Sequence, residues 1–207
     1  LVGVIDTGLD FMHPDFQDTS GNTRVMALWD QKYPIAANTP MPYNYGQQWD
    51  STDINTGGCP HLDSAFIYYG HGTSVTGTAV GNGRSTGNYI GAAPEADILF
   101  VASDFYSSNW SMTVADAVDW IFRKADTLGK PCVINLSLGA YTGSHDGKDP
   151  ATLYVDSLLT AKGGRAMCAA AGNAGQLPFH VGYDVTTDTN FTWFEYHSNV
   201  LGSGTGG

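Results

Sequence analysis

The chain predicts an α/β fold, a parallel sheet with helices on its faces, and three observations lead there. Short apolar runs alternate with longer segments at helical spacing. The helical segments are closed by glycine or proline. Polar residues capable of chemistry stand where apolar runs end, at the lip of a sheet.

The first strand is predicted over residues 2–5, from Val2-Gly3-Val4-Ile5, and Asp6 follows it ahead of Thr7-Gly8. Further strands are predicted over residues 24–29, 97–102, 132–136 and 165–170. Among these, residues 113–128 carry Val114, Val118, Ile121, Ala125 and Leu128 at spacings of three and four, one apolar stripe facing a core. Thr113, with Asp116 three places on, reads as the N-cap, and Gly129-Lys130-Pro131 as the stop. A second helix is expected over residues 151–162, closed by Gly163-Gly164. Strand, crossover helix and strand in repetition make the sheet parallel, with right-handed connections.

Two stretches break this rhythm. Residues 30–69 are rich in Pro, Asn, Gly and aromatic residues without sustained periodicity, and so long a loop reads as a functional or covering insertion. Within it, Pro60-His61-Leu62-Asp63 offers two potential metal ligands without partners, so His61 and Asp63 are expected to be surface polar groups. From residue 180 to 196 the chain becomes β-like, with Val181, Tyr183 and Val185 alternating and then Phe191, Trp193 and Phe194, a pattern that predicts a hairpin. Residues 202–207 have linker composition.

The 207 residues suit one domain with a substantial core. A net charge of −11 without a basic cluster argues against nucleic acid and anionic membranes as partners. No apolar stretch approaches the roughly 18 residues of a membrane span. The chain opens directly on a strand, so any targeting signal is expected to have been removed or left out. Cys59, Cys132 and Cys168 show no metal-ligand spacing and are expected to be free thiols. Cys132 and Cys168 sit in apolar runs and read as small buried hydrophobes, and Cys59 as a loop residue without an activating motif.

The chemistry-bearing elements come in a fixed order. Val4-Ile5-Asp6-Thr7-Gly8 is followed by Gly70-His71-Gly72-Thr73-Ser74-Val75-Thr76-Gly77, whose small residues let a helix start hard against other backbone. Gly91-Ala92-Ala93-Pro94 then leads into a strand, Val133-Ile134-Asn135-Leu136-Ser137-Leu138-Gly139 forms another, and Ala171-Gly172-Asn173-Ala174-Gly175 closes the series. In this order the chain resembles the subtilase family of serine peptidases. The resemblance implies a three-layer subtilisin-like fold, hydrolysis of peptide bonds without a cofactor, and a peptide or protein substrate. It implies Asp6 and His71 as the acid and base of an Asp/His/Ser triad, and Asn173 as the oxyanion-hole side chain. It also implies that the main chain of Ser137, Leu138 and Gly139 pairs with substrate as an added strand. No metal ligand can be carried over. A bacterial protein, secreted or at the cell surface, is the expected setting.

The chain departs from that pattern in two ways. The stretch between Asp6 and His71 is longer than in the simplest members, which places residues 30–69 as extra material near the cleft. The nucleophile's Gly-Thr-Ser-x-Ala setting is nowhere in the 207 residues: the lone Gly72-Thr73-Ser74 belongs to the histidine element. The chain therefore divides into residues 1–176 as the N-terminal and central part of a peptidase core, residues 177–201 as the start of a β-rich insertion, and residues 202–207 as a tail. The insertion is similar to that of a bacterial subgroup that includes the spore-germination subtilases. A segment beyond Gly207 is expected to supply the serine, and the chain alone to be inactive. A catalytically dead, peptide-binding scaffold is the alternative; a generic small-molecule binder is disfavoured, since no Gly-rich phosphate loop follows the first strand.

Overall fold

The structure, a computed structural model, describes residues 1–63, 69–141, 143 and 145–175. They build a six-stranded sheet in the order β3-β2-β4-β1-β5-β6. The strands are β1 (Val2–Asp6), β2 (Val25–Asp30), β3 (Gln47–Asp50), β4 (Ile98–Ala102), β5 (Cys132–Leu136) and β6 (Arg165–Ala169). The helices are α1 (Ser51–Asn55), α2 (His71–Val80), α3 (Trp110–Thr127) and α4 (Pro150–Thr160).

Strand β1 is central because both of its faces are apolar. It pairs in parallel with β4 on one side and β5 on the other. Adjacent residues of a strand point to opposite faces, so Val4 and Ile5 enter different cores. Val4, Leu28, Ile98 and Phe100 pack with Val75, Ala79 and Val80 of α2. Ile5, Leu99 and Val101 pack with Val118 and Ile121 of α3 and with Leu158 and Leu159 of α4. The three layers follow from that alternation, and each fully buried Val, Leu, Ile or Phe contributes about 1.5–3 kcal/mol.

The sheet is mixed rather than wholly parallel. Strand β3 runs antiparallel to β2, with Leu28 opposite Trp49 and Asp30 opposite Gln47. A local return needs no crossover helix, and this is how part of the stretch expected to be loop enters the sheet. Helix α1 follows at once behind a reciprocal cap in which Asp50 accepts from the Thr52 and Asp53 N–H groups and Asp53 accepts from Asp50 N–H. Tyr43 and Tyr45 then strap the covering segment to α3, donating to Asp119 Oδ2 at 2.8 Å and Asp116 Oδ2 at 2.9 Å. Burial and those carboxylates push both phenols well above their ordinary pKa.

Helix α3 begins at Trp110 behind Asn109, a turn earlier than the expected Thr113 cap. The Thr113 hydroxyl instead donates to the Trp110 carbonyl at 2.9 Å. The extra turn is held by the Trp110 indole, which donates to Ser103 Oγ at 3.0 Å and stacks on Phe105. Its other end stops as expected, with Gly129 in the left-handed region at φ 66°. Helix α4 starts at Pro150 with Asp149 capping the Thr152 N–H at 3.1 Å.

All three thiols are free. Cys132 is buried as expected, whereas Cys168 is exposed, because the face of β6 that it shares with Ala166 is left uncovered by the described residues. Cys59 is buried, and burial pushes its thiol up to about 11, which makes it a poor nucleophile near neutral pH. The predicted hairpin, the insertion over residues 177–201 and the tail over residues 202–207 lie outside the described residues. Among the described residues no helix is long and apolar enough to cross a membrane.

Candidate active site

Parallel strands deliver their carboxyl ends to one edge, and there the candidate residues gather. Ile5 is in register with Leu136, and Leu136 with Ala169, so Asp6, Ser137 and the segment leading to Asn173 all emerge from that edge. From β1 the chain turns toward β2 on one side, and from β5 toward β6 on the other. Diverging connections of this kind open the crevice in which α/β sheets bind their ligands.

Asp6 is fully buried. Its Oδ1 accepts from His71 Nδ1 at 2.7 Å, from the Thr7 N–H at 2.7 Å and from the Thr7 hydroxyl at 3.2 Å. Its Oδ2 is buried with no hydrogen-bond partner among the described residues. Burial raises the Asp6 pKa above the ordinary aspartate value, and the bonds from His71 and the Thr7 N–H counter that shift in part. An ionised carboxylate can only accept, so the His71 proton lies on Nδ1 and Nε2 carries the lone pair. The His71 side chain is 40% exposed while its partner carboxylate is 0% exposed, so the ring is held from inside and reaches the surface.

Small residues make this contact attainable. Gly70, left-handed at φ 76°, leads into α2 with His71 as its first residue. At Gly72 a Cβ would overlap the Gly8 carbonyl oxygen, so no other residue type lets the helix start this close to the β1 exit. The Gly72 N–H donates to Thr7 Oγ1 at 3.3 Å, and Thr73 Oγ1 accepts from the Asp10 N–H at 2.8 Å while donating to Asp63 Oδ2 at 2.6 Å. The first turn of α2 is thus tied to residues 7–10 at several points.

Asp63 is therefore part of the scaffold of the site, and the expectation that His61 is a surface group is wrong. His61 is 1% exposed. Its Nδ1 donates to Asp30 Oδ2 at 2.6 Å and its Nε2 accepts from the Leu9 N–H at 3.1 Å. This second histidine–aspartate pair, which the sequence reading missed, pins the loop that follows Asp6. Among the described residues no group of three or more His, Cys, Asp or Glu side chains is placed to hold a metal ion.

Ser137, Leu138 and Gly139 run on past the end of β5. The Ser137 hydroxyl accepts from the Asn135 side chain at 3.0 Å, Leu138 packs on the α3 face, and a Cβ added at Gly139 would meet open space. Asn173 lies exposed after β6, behind Gly172 at φ 94°. Its N–H and that of Ala174 donate to the Tyr141 hydroxyl at 3.0 and 3.1 Å. The structure thus brings Asp6 and His71 into contact and sets the other candidates along the same edge of the sheet.

A profile of the Subtilase family matches residues 1–200. The chain belongs to the subtilase family. Among curated subtilases it is 34% identical over 182 residues to the serine protease AprX of Bacillus subtilis, an alignment that covers 84% of this chain and 33% of that protein. It is 28% identical over 191 residues to the PII-type proteinase of Lacticaseibacillus paracasei, covering 84% of this chain and 9% of that one. Among solved structures, the CspB protease of Clostridium perfringens superposes with a TM-score of 0.70 at 27% identity, over 84% of this chain and 35% of that one. The chain thus spans about a third or less of the length of these relatives. The CspB likeness supports the α/β fold, and the antiparallel β3 is a local departure from the expected parallel sheet.

Proposed function

We propose that this chain is the N-terminal and central part of a subtilisin-type serine endopeptidase. The observation that carries the reading is the 2.7 Å bond between His71 Nδ1 and a fully buried Asp6. In the proposed reaction His71 Nε2 takes the proton from a serine hydroxyl supplied by a segment beyond Gly207, and the serine oxygen bonds to the substrate's carbonyl carbon. Asp6 keeps Nδ1 as the donor and stabilises the imidazolium. His71 then returns the proton to the leaving amine as the C–N bond breaks. Asn173 donates to the oxyanion from its side-chain amide, and the main chain of Ser137, Leu138 and Gly139 pairs with the peptide as an added strand. The family and the bacterial relatives support a peptide or protein substrate and a secreted or cell-surface location.

The absence of Gly-Thr-Ser-x-Ala from the 207 residues favours one rival, a catalytically dead scaffold that binds peptides. Peptide hydrolysis by this chain alone and by the native protein separates the two. The proposal expects none from the 207 residues and turnover from the native protein, whose sequence continues into Gly-Thr-Ser-x-Ala. A native protein that lacks this motif and does not turn over peptides is the scaffold.

A further inference from the structure

Residues 172–174 are shaped around one phenol. The Asn173 and Ala174 N–H groups converge on the Tyr141 hydroxyl oxygen at 3.0 and 3.1 Å. Successive N–H groups aimed at one oxygen form a nest, a concavity that calls for an acceptor. The same phenol closes the other side of the turn. A Cβ at Gly172 would stand 2.7 Å from that hydroxyl oxygen and 3.2 Å from ring carbon Cζ, and the φ of 94° there favours glycine. Tyr141 itself lies two residues past Gly139. One side chain therefore joins the run of Ser137, Leu138 and Gly139 to the turn that carries Asn173.

We propose that Tyr141 is a positioning residue for the oxyanion donor: by holding the Asn173 and Ala174 N–H groups, its hydroxyl fixes the turn from which the Asn173 amide projects. The inference rests on the peptidase reading above and adds a residue to it. Oxyanion stabilisation depends on donors already in place when charge develops, and the Asn173 side chain stands on an exposed turn. With no hydroxyl at residue 141, water replaces the phenol at the two N–H groups, and the turn samples orientations in which the amide misses its target.

The test uses Tyr141→Phe, Asn173→Ala and the double variant in the native protein, with steady-state kinetics on a peptide substrate. Tyr141→Phe keeps the ring and is expected to lower kcat about ten-fold, less than the roughly 10²-fold that a 1 Å misplacement costs. KM is expected to stay within about two-fold, since the residue is assigned no contact with substrate. In the Asn173→Ala background the tyrosine change is expected to have little further effect, because the group it positions is gone. A thermal midpoint for each variant separates this from loss of fold. If Asn173→Ala lowers kcat and Tyr141→Phe does not, or if the two losses multiply independently, the role of Tyr141 is refuted and the peptidase reading survives. If Asn173→Ala leaves kcat unchanged, the oxyanion assignment fails and the inference with it.

Discussion

At the Asp6 end of the candidate site, the proposed acid and base and their supporting hydrogen bonds all sit within or beside a closed core, whereas at the Asn173 end the strand leading to the site is largely exposed. Val4 and Ile5 are fully buried, and Asp6 is held by His71 and by two groups of Thr7. On β6, Ala166, Cys168 and Ala169 are exposed, and Tyr141 supplies two of the hydrogen bonds that hold the turn beyond. The difference teaches that the proposed acid and base are held in place by contacts within the described residues, while among those residues the turn carrying Asn173 is tied down chiefly by Tyr141 and follows a strand paired on one side. Variants at the two ends should therefore fail in different ways.

The largest expected effect is at the buried end. His71→Ala in the native protein should lower kcat by about 2 × 10⁶, the loss measured for the equivalent change in a subtilisin, with a lower thermal midpoint because the buried Asp6 loses its His71 donor. A loss below about 10³ would mean that another group serves as base.

Asp6→Asn should lower kcat by about 10⁴, since an amide that accepts from the Thr7 N–H no longer enforces the His71 tautomer. Its effect on stability should have the opposite sign. Burial places the folded pKa of Asp6 above its unfolded value, so the protonated acid is favoured in the fold. That contribution is full below the ordinary aspartate pKa and is lost as pH rises through the raised value. The amide keeps an acceptor at Oδ1 and removes the buried charge, so the variant should melt higher than the parent at neutral pH, with the gap closing toward pH about 4. Paired melting curves across that range decide it; a variant less stable at neutral pH would show that the charge is favoured there.

At the exposed end, Asn173→Ala should lower kcat by about 10²–10³, the range known for an oxyanion asparagine in a subtilisin, with KM nearly unchanged. A change confined to KM would recast Asn173 as a substrate contact. The smallest effect on turnover should come from His61→Ala, which leaves Asp30 Oδ2 and the Leu9 N–H buried without the imidazole that bonds both and costs about 1–3 kcal/mol of stability. At temperatures where the variant is still folded, kcat should fall far less than for His71→Ala. Denaturant titration alongside kinetics separates the two histidine–aspartate pairs.

The site was legible where local pattern and burial coincide. An apolar run ending in Asp6, and a histidine among residues small enough for close approach, point to the pair that the structure puts in contact. The parts that escaped depend on distant partners. His61 stands in a polar loop stretch, and its burial is set by Asp30, a strand end some thirty residues earlier. Tyr141 looks like any turn aromatic until β5 and β6 are laid side by side. The Thr113 cap was a sound local signal overridden by Trp110 packing on Phe105. Strand β3 is four residues long, too short for periodicity to register, although Asp50 and Asp53 already carried the spacing of a helix cap.

The central claim, that these residues hold the acid and base while the nucleophile lies beyond Gly207, is tested most directly by labelling the native protein with a serine-directed phosphonate and mapping the adduct by mass spectrometry. The account requires one equivalent of label on the serine of a Gly-Thr-Ser-x-Ala segment after Gly207, abolished by His71→Ala. Stoichiometric label on Ser74, or on any serine within the 207 residues, would contradict it.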